Sequence, residues 1–368
     1  MKILFLIPSL YGGGAERVAS ILCNHWAETN GIQVSLLTFD SSKNDSYSLS
    51  NKIKRYCIGY HSSGKKNLIE KLSSNAMRLF LIKRALRSLK PDIVVAFMPE
   101  MNILALLSSL FTGIPVVISE RTYPPYFNDG NFFDIARKVI YRLSDAFVSQ
   151  TSCTALWAQG FLKRTRITVI HNPIKLNKPS NAKKSNYKRQ KIILATGRLD
   201  PQKGFDMLID AYHIVYKDYK DWKLMIIGEG AEREKLEKQI KRLKLNKAII
   251  LLGRVNNPEH YYKLSSIFVL SSRVEGFPNA LLEAMSCGVP SIAFNCNAGP
   301  SDIIKDKQNG LLVPADNVEA LSKAMKKLAS DAALRRRLSY EAIKLCKNYS
   351  AAKISKEWIK LFNRVIGI

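Results

Sequence analysis

Two doubly wound, parallel α/β domains joined by a polar linker are what this 368-residue sequence predicts. Three observations carry that expectation. Short apolar runs of strand length alternate with helical stretches in both halves, the order that parallel sheets require. A polar, basic segment without periodicity, residues 176–190, separates the halves. The chain is long enough for two sizeable cores, and its 46% hydrophobic and 24% charged content is that of a globular protein.

In the first domain, residues 1–175, apolar runs predict strands at 2–7, 33–39, 93–97, 115–119, 146–149 and 167–170, with a helix at 15–28 after the first of them. The first run is ended by Pro8 and preceded by a single Lys, so it reads as a strand and not as a secretion signal. In the second domain, residues 191–348, strands are predicted at 191–196, 223–227, 248–252, 267–270 and 291–294. The last segment, 349–368, carries Trp358, Leu361, Phe362 and Val365 at helical spacing and is expected to be an amphipathic helix. The six cysteines show neither C-x-x-C spacing nor a companion histidine pattern, which suggests reduced thiols in a cytoplasmic protein. No apolar run reaches the length of a membrane span.

The net charge of +27 calls for an anionic partner: nucleic acid, lipid or substrate. Between Lys52 and Lys90 lie eleven basic residues and one acid, Glu70. From Leu68 to Leu89 the basic residues, Arg78 among them, alternate with Met77, Phe80, Ile82 and Leu86, which reads as a basic amphipathic helix suited to an anionic membrane surface. A nucleic-acid partner is not expected, because zinc-finger spacing and aromatic RNA-binding signatures are missing from the sequence.

Chemistry concentrates in Glu275-Gly276-Phe277-Pro278-Asn279-Ala-Leu-Leu282-Glu283, between two strand-like runs. Pro278 and Asn279 suit the first turn of a helix of two to three turns, and Gly288 suits its end. Helix-start amides attract phosphate, and ligands of open α/β sheets collect beyond the carboxyl ends of strands. Carboxylates there make sense if they face hydroxyls, because an ionised Glu accepts two hydrogen bonds from a vicinal diol. A second loop, Gly197-Arg198-Leu-Asp-Pro-Gln-Lys203-Gly204, ends the first strand of the second half and brings two cations to a position where a diphosphate could sit.

The Glu275–Glu283 stretch resembles the E-x7-E signature of the retaining family 4 glycosyltransferases, which have the GT-B fold, and 197–204, with four residues between Arg198 and Lys203, is similar to that family's G-R…K-G element. The resemblance implies two Rossmann-like domains facing a cleft, with the C-terminal helix crossing back to the first. It places Glu275 on donor-sugar hydroxyls, Glu283 on the ribose diol and the amides of Gly276 to Asn279, with Leu282 nearby, on the diphosphate. Arg198 and Lys203 would neutralise the leaving diphosphate, with Gly228, Gly230 and Arg254 near the nucleoside. Tyr11-Gly12-Gly13-Gly14-Ala-Glu16-Arg17 allows a dinucleotide reading, but Arg17 replaces the third glycine and Asp40 comes late. The family's G-G-x-E-R loop, placing Gly13 and Gly14 at the donor, is the better fit.

On the acceptor side the histidine found in many members is missing, leaving Glu100, Asn102, Glu120 and Arg121. Ser119-Glu120-Arg121 is similar to an S-E-H-type loop with Arg in place of His. His171 is expected to be structural. No D-x-D motif occurs, so no metal or other cofactor is expected, and cations with helix-start amides would replace a divalent ion. The expected reaction is retaining transfer of a hexose or N-acetylhexosamine, from a nucleotide sugar such as a UDP-sugar, to a lipid-linked glycan at the inner face of a bacterial membrane. Two other readings are a UDP-N-acetylglucosamine 2-epimerase-like enzyme and a basic nucleic-acid-binding protein.

Overall fold

The computed structural model describes residues 1–59, 68–126, 130–175 and 189–368. Lys65, Lys66 and linker positions 176–188 lie outside the described residues. The chain divides into unit 1, Met1–Lys175 with Ser350–Ile368, and unit 2, Leu176–Tyr349.

Unit 1 runs β1 (Lys2–Leu6), α1 (Gly14–Ala27), β2 (Gln33–Thr38), β3 (Lys54–Cys57), α2 (Leu68–Leu89), β4 (Ile93–Phe97), α3 (Pro99–Ser109), β5 (Val116–Ser119), α4 (Asn131–Ile140), β6 (Ala146–Ser149), α5 (Ser152–Gln159) and β7 (Arg166–Val169). Unit 2 follows with β8 (Ile192–Thr196), α6 (Phe205–Tyr216), β9 (Lys223–Ile227), α7 (Arg233–Arg242), β10 (Ile249–Gly253), α8 (Pro258–Leu264), β11 (Ile267–Leu270) and α9 (Asn279–Ser286). It closes with β12 (Ser291–Asn295), α10 (Pro300–Ile303), β13 (Leu311–Pro314), α11 (Val318–Ser330) and α12 (Ala332–Cys346), after which α13 (Ala351–Ile366) returns to unit 1.

Both sheets are parallel throughout, in the orders β3-β2-β1-β4-β5-β6-β7 and β10-β9-β8-β11-β12-β13. Successive strand side chains point to opposite faces, and helices cover both faces, so the strands need unbroken apolar runs. In β1, Ile3 and Phe5 join a core containing Trp26 of α1 and Trp358 and Phe362 of α13. Leu4 and Leu6 join the opposite core with Ile82 of α2 and Met101 of α3. Trp26 meets Trp358 and Phe362 edge-on at 6.1 and 5.4 Å between ring centres, so α13 is an integral layer of unit 1. In unit 2 a single large cluster unites Ile193, Leu208, Tyr212, Ile226, Ile292 and Leu321.

Each sheet reverses its strand order once, between β1 and β4 and between β8 and β11. In open α/β sheets the loops leaving such a pair of strands diverge, and the crevice between them at the carboxyl edge is where ligands bind.

Two strands escape the sequence pattern. In β3 the sequence Lys-Arg-Tyr-Cys has an exposed or half-buried face at every position, and β13 is a four-residue edge strand ended by Pro314. Lys54 and Arg55, read above as part of a basic surface segment, thus belong to a sheet edge, and Arg55 is ion-paired with Asp45. Helix α2 has the expected bounds but not the expected faces. Arg78 is buried, with its guanidinium 4.4 Å over the Phe39 ring, whereas Met77 and Phe80 are exposed.

Candidate active site

At the β8–β11 crevice, two loops are bound to each other by main-chain and side-chain hydrogen bonds. The first turns through Pro201–Lys203, where the Asp200 carboxylate accepts the Lys203 N–H at 3.2 Å. The Arg273 N–H donates to the Gln202 carbonyl at 2.8 Å, and Gln202 Nε2 donates to the Val274 carbonyl at 2.9 Å. Arg273 makes two guanidinium bonds to Asp206, of 3.0 and 2.7 Å, and a third to the Pro201 carbonyl at 2.6 Å. Burial pushes the Asp206 carboxyl up, but the hydrogen bonds and charge of Arg273 outweigh it, holding this acid below its ordinary value.

The loops so joined bring together residues 72 positions apart. Lys203 Nζ lies 2.7 Å from Glu275 Oε1, which also accepts the Ser272 hydroxyl at 2.6 Å. The Glu275 side chain is only 6% exposed. A carboxylate so enclosed is tolerable because an ammonium and a hydroxyl satisfy it. Such a pair can exchange partners with a ligand: hydroxyls donate to the carboxylate while a phosphate accepts from the ammonium. Arg198 is on the same loop but its side chain is 74% exposed, its Nε donating to Asp200 at 2.7 Å.

Glu283 sits half-buried on α9, where the Tyr262 hydroxyl donates to its Oε2 at 3.4 Å. Pro278 caps the helix and does not enter its first turn, because α9 begins at Asn279. The amides of that turn are partly spoken for, since Asn279 N–H donates to the Phe277 carbonyl and Leu281 and Leu282 donate to that of Pro278. Leu282, expected at the donor, is fully buried, and Phe277 is buried with its ring 6.3 Å from that of Tyr349. Gly276 remains half-exposed in the loop. Gly228 and Gly230 have a structural reason of their own: a Cβ would meet the Gly197 carbonyl oxygen at 1.8 Å and that of Leu199 at 2.2 Å. They let the loop after β9 press on the Arg198 loop. Arg254, after β10, is exposed.

In unit 1, Gly13 caps α1 and Gly14 begins it, both exposed. Burial raises the Glu16 carboxyl, offset by main-chain hydrogen bonds and by the charge of Arg121. Arg121 is buried, its guanidinium 4.0 Å over the Phe97 ring, donating to Asn172 Oδ1 at 2.5 Å and to Ser119 Oγ at 3.2 Å. Desolvation pushes its pKa down to about 9, with Glu16 opposing.

The other three acceptor-side candidates are also engaged within unit 1. Glu120 is fully buried, accepting from the Tyr141 hydroxyl at 2.6 Å with Arg137 at 3.7 Å. Asn102, also fully buried, donates to the same hydroxyl at 3.0 Å and to the Ser119 carbonyl at 3.2 Å. Both belong to a buried polar network beneath α4, in which Asn102 Oδ1 has no hydrogen-bond partner among the described residues. Glu100 is ion-paired with Arg78 at 2.5 Å and joins α3 to α2. His171 Nδ1 donates to the Gln150 carbonyl at 2.8 Å.

Sequence reading overlooked Ser272, Arg273, Asp206 and Tyr262. Only Ser272, three residues before Glu275, carried a local signal, since hydroxyl residues bond acids at short range. Among the described residues no cluster of three or more His, Cys, Asp or Glu has the arrangement to hold a metal ion.

Residues 12–178 match the model of Glycosyltransferase Family 4 and residues 177–345 that of Glycosyl transferases group 1. A relative from Campylobacter jejuni, GalNAc-alpha-(1->4)-GalNAc-alpha-(1->3)-diNAcBac-PP-undecaprenol alpha-1,4-N-acetyl-D-galactosaminyltransferase, is 29% identical over 366 residues, 99% of each chain. Among solved structures, sucrose-phosphate synthase from Thermosynechococcus elongatus matches with a TM-score of 0.86 at 16% identity, over 100% of this chain and 99% of that one. Anabaena HepE in complex with UDP matches with 0.78 at 17%, over 99% and 100%. With two parallel-sheet units, matches to both models across nearly the whole chain and the acid–cation pair at the unit 2 crevice, this chain belongs to the family 4 type of glycosyltransferases and is a transferase of the GT-B fold.

Proposed function

We propose that this enzyme moves a hexose or N-acetylhexosamine, with retention at the anomeric carbon, from a UDP-sugar to a hydroxyl of a lipid-diphosphate-linked glycan in bacterial surface polysaccharide or glycan synthesis. The observation that carries the donor half is the Lys203–Glu275 pair at the β8–β11 crevice, with Glu283 on the helix that follows. Glu275 accepts hydroxyls of the donor sugar, Glu283 accepts the ribose diol, and Lys203 and Arg198 balance the charge that grows on the departing diphosphate. As the C1–oxygen bond breaks, the acceptor hydroxyl attacks from the same face and its proton passes to the departing phosphate. The UDP complex of HepE and the undecaprenol-diphosphate acceptor in the name of the Campylobacter relative favour these choices of donor and acceptor.

The acceptor places the enzyme at the cytoplasmic face of a membrane. Among the described residues no helix is long and apolar enough to cross one. Support for peripheral attachment through unit 1 comes from α4 and the turn after it, where Ile135, Val139 and Leu143 are more than half exposed and Lys138 and Arg142 stand exposed between them. Positions 135, 138, 139, 142 and 143 share one helical face, the pattern of an interfacial helix.

A thermal-shift panel of UDP-, GDP- and ADP-sugars tests the donor: UDP-sugars should stabilise the protein and the others should not. NMR of the product should give the anomeric configuration of the donor; the opposite configuration ends the retaining reading. EDTA should leave the rate unchanged. Flotation with anionic vesicles at low salt should carry the enzyme upward, and added salt should release it.

A further inference from the structure

The guanidinium of Arg189 lies between the carboxyl ends of two helices in unit 2. One nitrogen donates to the carbonyls of Tyr262 and Ser265, at 3.3 and 2.6 Å, at the end of α8. The other donates to those of Cys287 and Gly288, at 2.8 and 3.0 Å, at the end of α9. The neighbouring main chain completes the clasp. The Gln190 N–H donates to the Leu264 carbonyl at 2.8 Å, and its own carbonyl accepts from the Ser266 hydroxyl at 2.6 Å.

The chemistry suits the place. The last carbonyls of a helix have no partner within it and carry the negative end of its dipole, so a cation there is doubly favoured. A planar guanidinium alone can serve two such ends at once, because its donors diverge in fixed directions. Burial lowers the Arg189 pKa, with the opposing influence of Cys287. Four carbonyl acceptors are what make this burial sustainable.

The two helices joined in this way are those that define Glu283. It rides on α9, and Tyr262, which donates to it, rides on α8 one turn from the clasped end. A shift of α9 along α8 would therefore move Glu283 away from the hydroxyl that orients it. We infer that Arg189 is a positioning residue for the donor half-site, fixing the register of α9 against α8 so that Glu283 meets the ribose diol. The inference rests on the donor role given to Glu283 above.

The test uses the full-length enzyme, with UDP as the probe in calorimetry and the sugar nucleotide in kinetics. Arg189→Lys keeps the charge but cannot reach both helix ends. It should weaken UDP about tenfold and raise the donor KM to match, with kcat and the acceptor KM within about twofold of the parent. In a Glu283→Ala background the same change should cost less than twofold, because residues acting through one another are not additive. Ethylguanidinium at millimolar concentration should restore UDP affinity to Arg189→Ala; where that variant does not fold, Arg189→Lys decides.

UDP affinity unchanged in Arg189→Lys, or an equal tenfold loss with and without Glu283, overturns the inference. If Glu283→Ala itself binds UDP like the parent, the donor reading of Glu283 fails instead, which is a separate result.

Discussion

The crevice edges of the two units are built on the same plan and use their polar residues in opposite ways. Each lies where a parallel sheet reverses its strand order, with loops leaving two adjacent strands. In unit 2 the acid at that edge, Glu275, is held by an ammonium and a hydroxyl on neighbouring loops, and an exposed cation, Arg198, stands beside them. In unit 1 the corresponding acid, Glu120, is buried beneath α4 with Tyr141 and Arg137, and Asn102 joins the network from α3. Position at the edge alone therefore does not distinguish the two acids. What matters is whether an acid's partners are groups that a ligand can replace, and a tyrosine 21 residues away across a packed helix is not one of them.

Lys203→Ala should have the largest effect, lowering kcat/KM by a hundredfold or more, about the loss of a main transition-state contact, and Glu283→Ala the next largest, through a raised donor KM. Full turnover by Lys203→Ala at saturating donor would break the contrast between the units. Lys203→Ala also strands the Glu275 charge, a cost of about 3–5 kcal/mol for breaking a buried pair. Lys203→Met combined with Glu275→Gln should recover most of that stability in a urea titration while staying inactive.

The unit 1 network should respond the other way round. Asn102→Ala ought to destabilise by about 1–3 kcal/mol, the price of stranding buried polar groups, with kcat/KM in the surviving folded fraction changed less than fivefold. Glu120→Gln should likewise act on the melting temperature. A Glu120→Gln enzyme that melts normally but has lost turnover would make the two edges functionally alike.

A smaller effect concerns the Asp206–Arg273 staple. Because the folded-state pKa of Asp206 is lowered, its stabilising contribution is complete above the unfolded value, about 3.9, and is lost as pH falls through the folded value. Acid unfolding below about pH 4 should thus be shallower in Asp206→Asn than in the parent, as followed by tryptophan fluorescence. Identical slopes would remove the staple from the account of how the Lys203 loop is held.

Much of the fold was legible because strands covered on both faces must be apolar along their whole length, as in Ile93–Phe97 and Ile267–Leu270. Strand β3 was not, because Lys-Arg-Tyr-Cys on a sheet edge offers no apolar run, and β13 was not, because its four residues, ended by Pro314, are too short an apolar run to mark a strand. The Lys203–Glu275 contact was legible only through its motifs, since nothing local links positions 72 apart. Conversely, the fates of Asn102 and Glu120 depend on Tyr141 and Arg137, whose direction is set by the packing of α4 and not by neighbours in sequence. Helix α2 misled for the same reason: an arginine can be buried when Phe39 and Glu100 await it.

The return of α13 to unit 1 bears on how the molecule is made. Trp26 and Phe97, near the start of the chain, rest against Trp358 from its last helix. During translation unit 2 is contiguous and can close its core as soon as Tyr349 is free of the ribosome. Unit 1, although it begins emerging first, must wait with one face of its sheet only partly covered, by α1, until α13 arrives. A released chain truncated after Tyr349 should therefore present a folded second unit behind a chaperone-binding first one, reversing the usual order in which a protein matures from its N-terminus.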